Sequence, residues 1–169
     1  MGTRSLTHVY EQKGDNRPLV TIYRQFDGYP TGHGQELLDS FGKHEIVNGF
    51  GISDNPVANG MGCLAAQLIA FLKFGGMHDS DYKNNPASPS VGNVYVYPAG
   101  SSDCGEDYIY RLYPGEGEGE GFFATYGPLM LRVEKVGYSG DDRVLYEGKL
   151  ADFDPEAAEK AAYPEEEDA

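Results

Sequence analysis

Short runs in which β-branched and aromatic residues alternate with polar ones recur along most of this chain. Each is closed within a few positions by Gly, Pro, Asp or Ser, and together they commit the chain to a sheet. In "TRSLTHVY" the period of two puts Arg4, Leu6, His8 and Tyr10 on one side and Thr3, Ser5, Thr7 and Val9 on the other. The turn formers of "EQKGDNRP" follow, then the extended run "LVTIYRQF", so residues 3–26 read as a hairpin. Further strands are expected at "NVYVYP", "DYIYRLYP", "FFATY", "LMLRVEKV" and "RVLYEGKL". The turn signal "SGDD" joins the last two into an antiparallel pair over residues 129–150.

Two segments break the alternation. "GQELLDSF" has Leu37, Leu38 and Phe41 at helical spacing and an acid in its first turn, which suits the positive end of a helix dipole. "NGMGCLAAQLIAFLKF", capped by Asn59, is apolar on nearly every side and predicts a helix buried across the sheet. The expected fold is therefore α+β, a mainly antiparallel sheet of about six strands with two helices packed on it. Of 169 residues, 40% are apolar, enough for one core. Residues 1–153 are read as that single domain. From residue 154 the chain becomes an acidic tail, with one helical turn around "PEAAEKAA" before fraying, expected to be dispensable for folding. "GEGEGEG" and residues 75–92 read as loops.

Charge narrows the function classes. A net charge of −14, from 27 acidic and 13 basic residues, excludes the wrapping of long nucleic acid, which needs Lys and Arg to displace counterions. It suits a basic protein surface. Two cysteines without a CxxC read as reduced thiols, which with the absence of an N-terminal apolar h-region places the chain in the cytoplasm. The longest apolar run, "CLAAQLIAFL", is too short for a membrane span. The pattern leaves the oligomeric state open and calls for no cofactor.

The densest cluster of chemistry is "YRQFDGYPTGHG". Arg4 and Arg24 each share a strand face with apolar neighbours and need partners. Asp27 at the strand end is the expected carboxylate for a forked pair. One reading is a brace across the turn. The other is a ligand site in which Arg4, Arg24, Asp27, Tyr29 and His33 surround an anionic, nucleotide-like group that reaches backbone N–H groups between Gly28, Gly32 and Gly34. No GxGxxG or P-loop signature accompanies it.

Cys63, near a helix start, is the candidate nucleophile of a thiol hydrolase, with His8, His33, His44 or His78 as base; its neighbours Leu64, Ala65 and Ala66 argue for packing. Gln67, on the same helix, needs a hydrogen-bond partner. The histidines and Cys104 lack metal-ligand spacing, so no metal is expected. Glu106, Asp107 and Glu134 are the carboxylates a glycosidase would draw on. Tyr95 with Tyr97, beside Tyr108 with Tyr110, would form an aromatic rail if their strands were neighbours.

At "MGTRSLT", "YRQFDGYPTGHG" and "NGMGCLAAQ" the chain resembles a family of small uncharacterised proteins from bacteria and their phages, opening with MGTR and carrying an aromatic-D-G-Y-P-x-G-x-G turn. That resemblance implies a phage-encoded protein and no particular catalytic residue. The opening strands are also similar to those of N-terminal-nucleophile hydrolases, but Gly2 stands where their nucleophile would be. The reading that results is a non-enzymatic binding protein for a small anionic ligand or a host protein. A Cys63 hydrolase and a structural subunit of a larger assembly are the alternatives.

Overall fold

The computed structural model describes residues 2–49, 53–74, 92–121 and 124–164. Six strands form one mixed sheet: β1 (Ser5–Val9), β2 (Val20–Arg24), β3 (Val94–Tyr97), β4 (Tyr108–Pro114), β5 (Leu129–Lys135) and β6 (Arg143–Lys149). Their spatial order is β3-β2-β1-β4-β5-β6. All neighbours are antiparallel except β1 and β4. The fold is thus the expected α+β class, with hairpins at β1–β2 and β5–β6. A separate parallel pair, Glu45–Val47 with Val57–Asn59, precedes the long helix. The aromatic rail is not built: Tyr95 and Tyr97 lie on β3, which pairs with β2, whereas Tyr108 and Tyr110 are fully buried on β4. Residues 124–126 of "FFATY" are not in a strand, and 122–123 lie outside the described residues.

Among the described residues three α-helices, rather than two, accompany the sheet: α1 (Gln35–Phe41), α2 (Gly60–Phe74) and α3 (Pro155–Ala162). On one sheet face Val9, Ile22, Tyr108, Tyr110, Leu112, Leu131 and Val133 share a single core with Leu37, Phe41, Leu64, Leu68, Phe153 and Ala158. The helix α2 is not buried all round. Met61, Leu64, Ala65, Leu68 and Leu72 face the core, but Gly62, Ala66 and Ala70 are exposed, since an apolar stripe of small residues costs little in water. Asn59 ends a strand, and its side-chain carbonyl accepts from the Gly49 N–H. Gln67 donates to the Val57 carbonyl, leaving its own Oε1 buried without a partner. No helix among the described residues is long and apolar enough to cross a membrane.

The acidic C-terminal segment is docked rather than frayed through residue 162. Asp154 caps α3 by accepting from the Ala157 N–H, and Pro155 starts it. Pro155, Ala158 and Ala162 are buried, so the alanines of "PEAAEKAA" form a narrow apolar stripe that the charge count conceals. Residues 165–169 lie outside the described residues.

The second sheet face belongs to Leu6, Tyr23, Ile109 and Tyr113, which are buried but stand outside the helix-covered core. Part of it lies under the loop before β4, where the Gly100 N–H donates to Thr21 Oγ1. The rest opens into a cleft.

Candidate functional site

Strand register decides where the arginines go. Arg24 pairs with Ser5, not with Arg4, so period-two alternation puts Arg24 on the helix-covered face and Arg4 on the opposite one. They cannot share a pocket. Arg4 lies beside Gly105, and its Nε is buried without a partner.

The forked carboxylate for Arg24 is Glu36 of α1, not Asp27. Arg24 Nη1 donates to Glu36 Oε2, Nη2 to Oε1 at 3.2 Å, and Nε to the Phe26 carbonyl at 2.6 Å. The chain turns from β2 into α1 through a left-handed Asp27 (φ 57°) and a single π-helical turn, Pro30–Gly34. That reversal swings Glu36 back over the strand end and leaves Asp27 exposed, accepting at 3.4 Å from the half-buried Tyr29 hydroxyl. His33 is fully buried, with Nε2 2.8 Å from Thr7 Oγ1 and its ring edge-on to Tyr110. Burial lowers its pKa, and the hydrogen bond to Glu36 only partly compensates. Burial opposes ionisation of Glu36 as well, but bonds from His33 and Arg24 outweigh it and hold the carboxyl below its ordinary value.

The glycines of this turn admit protein, not ligand. A Cβ on Gly28 would lie 2.8 Å from Ser5 Cβ, and one on Gly34 would lie 2.9 Å from the Phe153 ring. The turn's backbone donor is also taken: Thr31 N–H donates to Glu159 of α3 at 2.9 Å. A carboxylate does reach this turn, and the chain itself supplies it.

Cys63 is half-buried against the core, and among the described residues no hydrogen bond joins it to an imidazole. His8 bonds Thr21, His33 bonds Thr7, and His44 lies against Phe41; His78 lies outside the described residues. Glu106 accepts from the Asp103 and Cys104 N–H groups, and Asp107 from Arg4 N–H.

Glu134 has a different setting. On the open face the register lines up Thr21, His8, Arg111, Arg132 and Glu147 in one row across five strands. Arg111 and Arg132 are direct cross-strand partners, a like-charge juxtaposition that destabilises a sheet unless something bridges it. Glu134 bridges it, accepting from Arg111 Nε at 2.7 Å and from Arg132 Nε at 3.1 Å, with its side chain only 13% exposed. Arg111 also donates to the Tyr10 hydroxyl. Above this row is a cleft of about 410 Å³, lined by Tyr10, Arg111, Tyr113, Arg132, Glu134 and Glu147, with Lys13, Gly14 and Asp15 of the β1–β2 loop at its side. Both arginine side chains remain about a third exposed.

The arginine pair was missed as a site, and of the residues around it only Glu134 was singled out, as a glycosidase carboxylate. In "LMLRVEK" Met130, Arg132 and Glu134 alternate with the buried Leu129, Leu131 and Val133, and in "YIYRLYP" Arg111 is the one position that is not buried. No family model, curated protein or solved structure matches the chain, so the site rests on its own geometry.

Beneath the cleft His8 is 4% exposed, and burial first, then the Arg111 charge, lowers its pKa to about 4 against a weaker upward pull from Glu134. A depressed histidine stays neutral in the folded chain while the unfolded chain takes up a proton near pH 6.5, so stability falls as pH drops from about 6.5 toward 4. Allowing for water at the cleft rim, His8 should account for about 2 kcal/mol of that loss by pH 4.5, and His33 for a further loss of the same sign. Urea unfolding at pH 7 and pH 4.5 should show a drop that shrinks by about that amount in His8→Gln; an equal drop in both proteins would count against this account.

Proposed function

We propose that the protein is a non-enzymatic binding protein whose ligand is a small anionic molecule held in the Arg111–Arg132 cleft. The observation that carries this reading is the pair of directly opposed arginines on an open sheet face. The chain accepts a like-charge pair there, fixes it with one shared carboxylate and leaves both arginine side chains about a third exposed. A volume of about 410 Å³ suits a small molecule rather than a protein surface. The groups around it favour binding over chemistry. Tyr113, its pKa pushed up to about 12 by burial and by Glu147, keeps its proton, and His8 is neutral and bonded to Thr21. The donors of Arg111, Arg132 and Tyr113 are what would hold an incoming anion, in competition with the carboxylates of Glu134 and Glu147 that line the same cleft.

Titration calorimetry of the full chain with succinate, inorganic phosphate and adenosine monophosphate tests the reading. At least one should bind, and Arg132→Ala should weaken it about tenfold or more, as loss of a charge-assisted hydrogen bond predicts, with the thermal midpoint within a few degrees of the parent. Binding indifferent to Arg132, or no binding by any of the three at millimolar concentration, would reject it.

A further inference from the structure

The row that ends at Glu147 carries a second message. Glu147 presents one oxygen to each of two donors: Oε2 accepts from Arg132 Nη1 at 3.1 Å and Oε1 from the Tyr113 hydroxyl at 3.1 Å. Such a bridge is the pattern a planar carboxylate makes between two fixed donors. The two glutamates of the cleft are held very differently. Glu134 is 13% exposed, lies on the inner strand β5 and ties two arginines together. Glu147 is 41% exposed, lies on the edge strand β6 and ties one arginine to one tyrosine. An ion pair that exposed contributes little, so its carboxylate is cheap to displace. The strand beside it is also irregular, with the β5–β6 register shifting between Val133 and Glu134.

Resting on the binding role proposed above, we infer that Glu147 occupies the anion position of the cleft, and that the ligand carries a carboxylate which takes over its contacts with Arg132 and Tyr113. Glu147 is then a specificity-determining residue. It sets a threshold that an acceptor must exceed by offering two oxygens to the same two donors. Tyr113, 6% exposed, and Arg132, anchored by Glu134, hold those donors in place throughout the exchange.

The test is calorimetric titration with succinate and with inorganic phosphate, using the full-length protein and its Glu147→Gln, Asp15→Asn and Tyr113→Phe variants, each checked for native circular dichroism. Glu147→Gln should bind succinate about fivefold more tightly, the gain expected when an exposed ion pair no longer competes. Asp15→Asn removes the same charge from the same cleft without touching Arg132 or Tyr113, and it should change affinity less than twofold, as expected for a screened charge. Tyr113→Phe should weaken succinate binding, and phosphate should bind more weakly than succinate throughout. If Asp15→Asn gains as much as Glu147→Gln, the effect is general electrostatics and the displacement idea falls. If Glu147→Gln gains nothing while Arg132→Ala still abolishes binding, the cleft keeps its role and only the inference about Glu147 is lost. Phosphate binding more tightly than succinate would overturn the carboxylate assignment, as would succinate binding to none of the proteins, while the binding role itself falls only if adenosine monophosphate also fails to bind.

Discussion

Replacing Arg24 by alanine is expected to lower the thermal midpoint by roughly 10 °C. The side chain is 8% exposed and donates to both oxygens of Glu36 and to the Phe26 carbonyl, with His33 Nδ1 3.5 Å from its Nη1. Removing it strands a carboxylate and a carbonyl together. Breaking a buried pair from one side costs about 3–5 kcal/mol, and because the Glu36 side chain is 33% exposed the lower end applies. At about 2–4 °C per kcal/mol for a chain of this length, 3 kcal/mol corresponds to that shift. The double variant Arg24→Met, Glu36→Leu should recover much of the loss, since it removes both charges and leaves an apolar contact. A midpoint within 2 °C of the parent for Arg24→Ala would show that the guanidinium is not the brace its contacts describe.

Deleting residues 155–169 should have a comparable effect, about 3 kcal/mol and again roughly 10 °C, from the loss of three small buried side chains and the uncovering of what they touch. The helix α3 is tied down at several points. Glu159 accepts from Thr31, the Ala161 carbonyl accepts from Arg143, the Tyr163 hydroxyl lies 3.5 Å from that of Tyr108, and Lys135 stands over both tyrosine rings. A melt of the truncated chain that overlays the parent would restore the expectation that this segment is dispensable.

Both predictions concern residues whose importance was only half visible in the sequence. Arg24 stood out, because an arginine on an apolar strand face must find a partner. Its nearest carboxylate in sequence, Asp27, is not that partner. A residue three positions on can approach only if the chain folds back at once, and here it first makes a left-handed step and a π-helical turn, which bring Glu36 into range instead. The tail misled for the opposite reason. Its charge is conspicuous, while its anchors are a buried proline and two alanines that belong to the same core as Tyr108 and Phe153 but carry no sequence signal of burial.

By itself the sequence determined the class of fold, the hairpins, the start of α1 and, through the period of two, which side chains of each strand share a face. Those features depend on neighbours along the chain, and local sterics and burial are enough to specify them. The cleft was decided elsewhere. Arg111 and Arg132 lie 21 positions apart, and Glu134 and Glu147 complete the site only because β4, β5 and β6 pair in one particular register. Register is set by the collective packing of Tyr110, Leu112, Leu131 and Val133 on the far side of the sheet. A slip of one residue would turn every one of those side chains outward, so the buried face dictates, through the backbone, which charges meet on the open one.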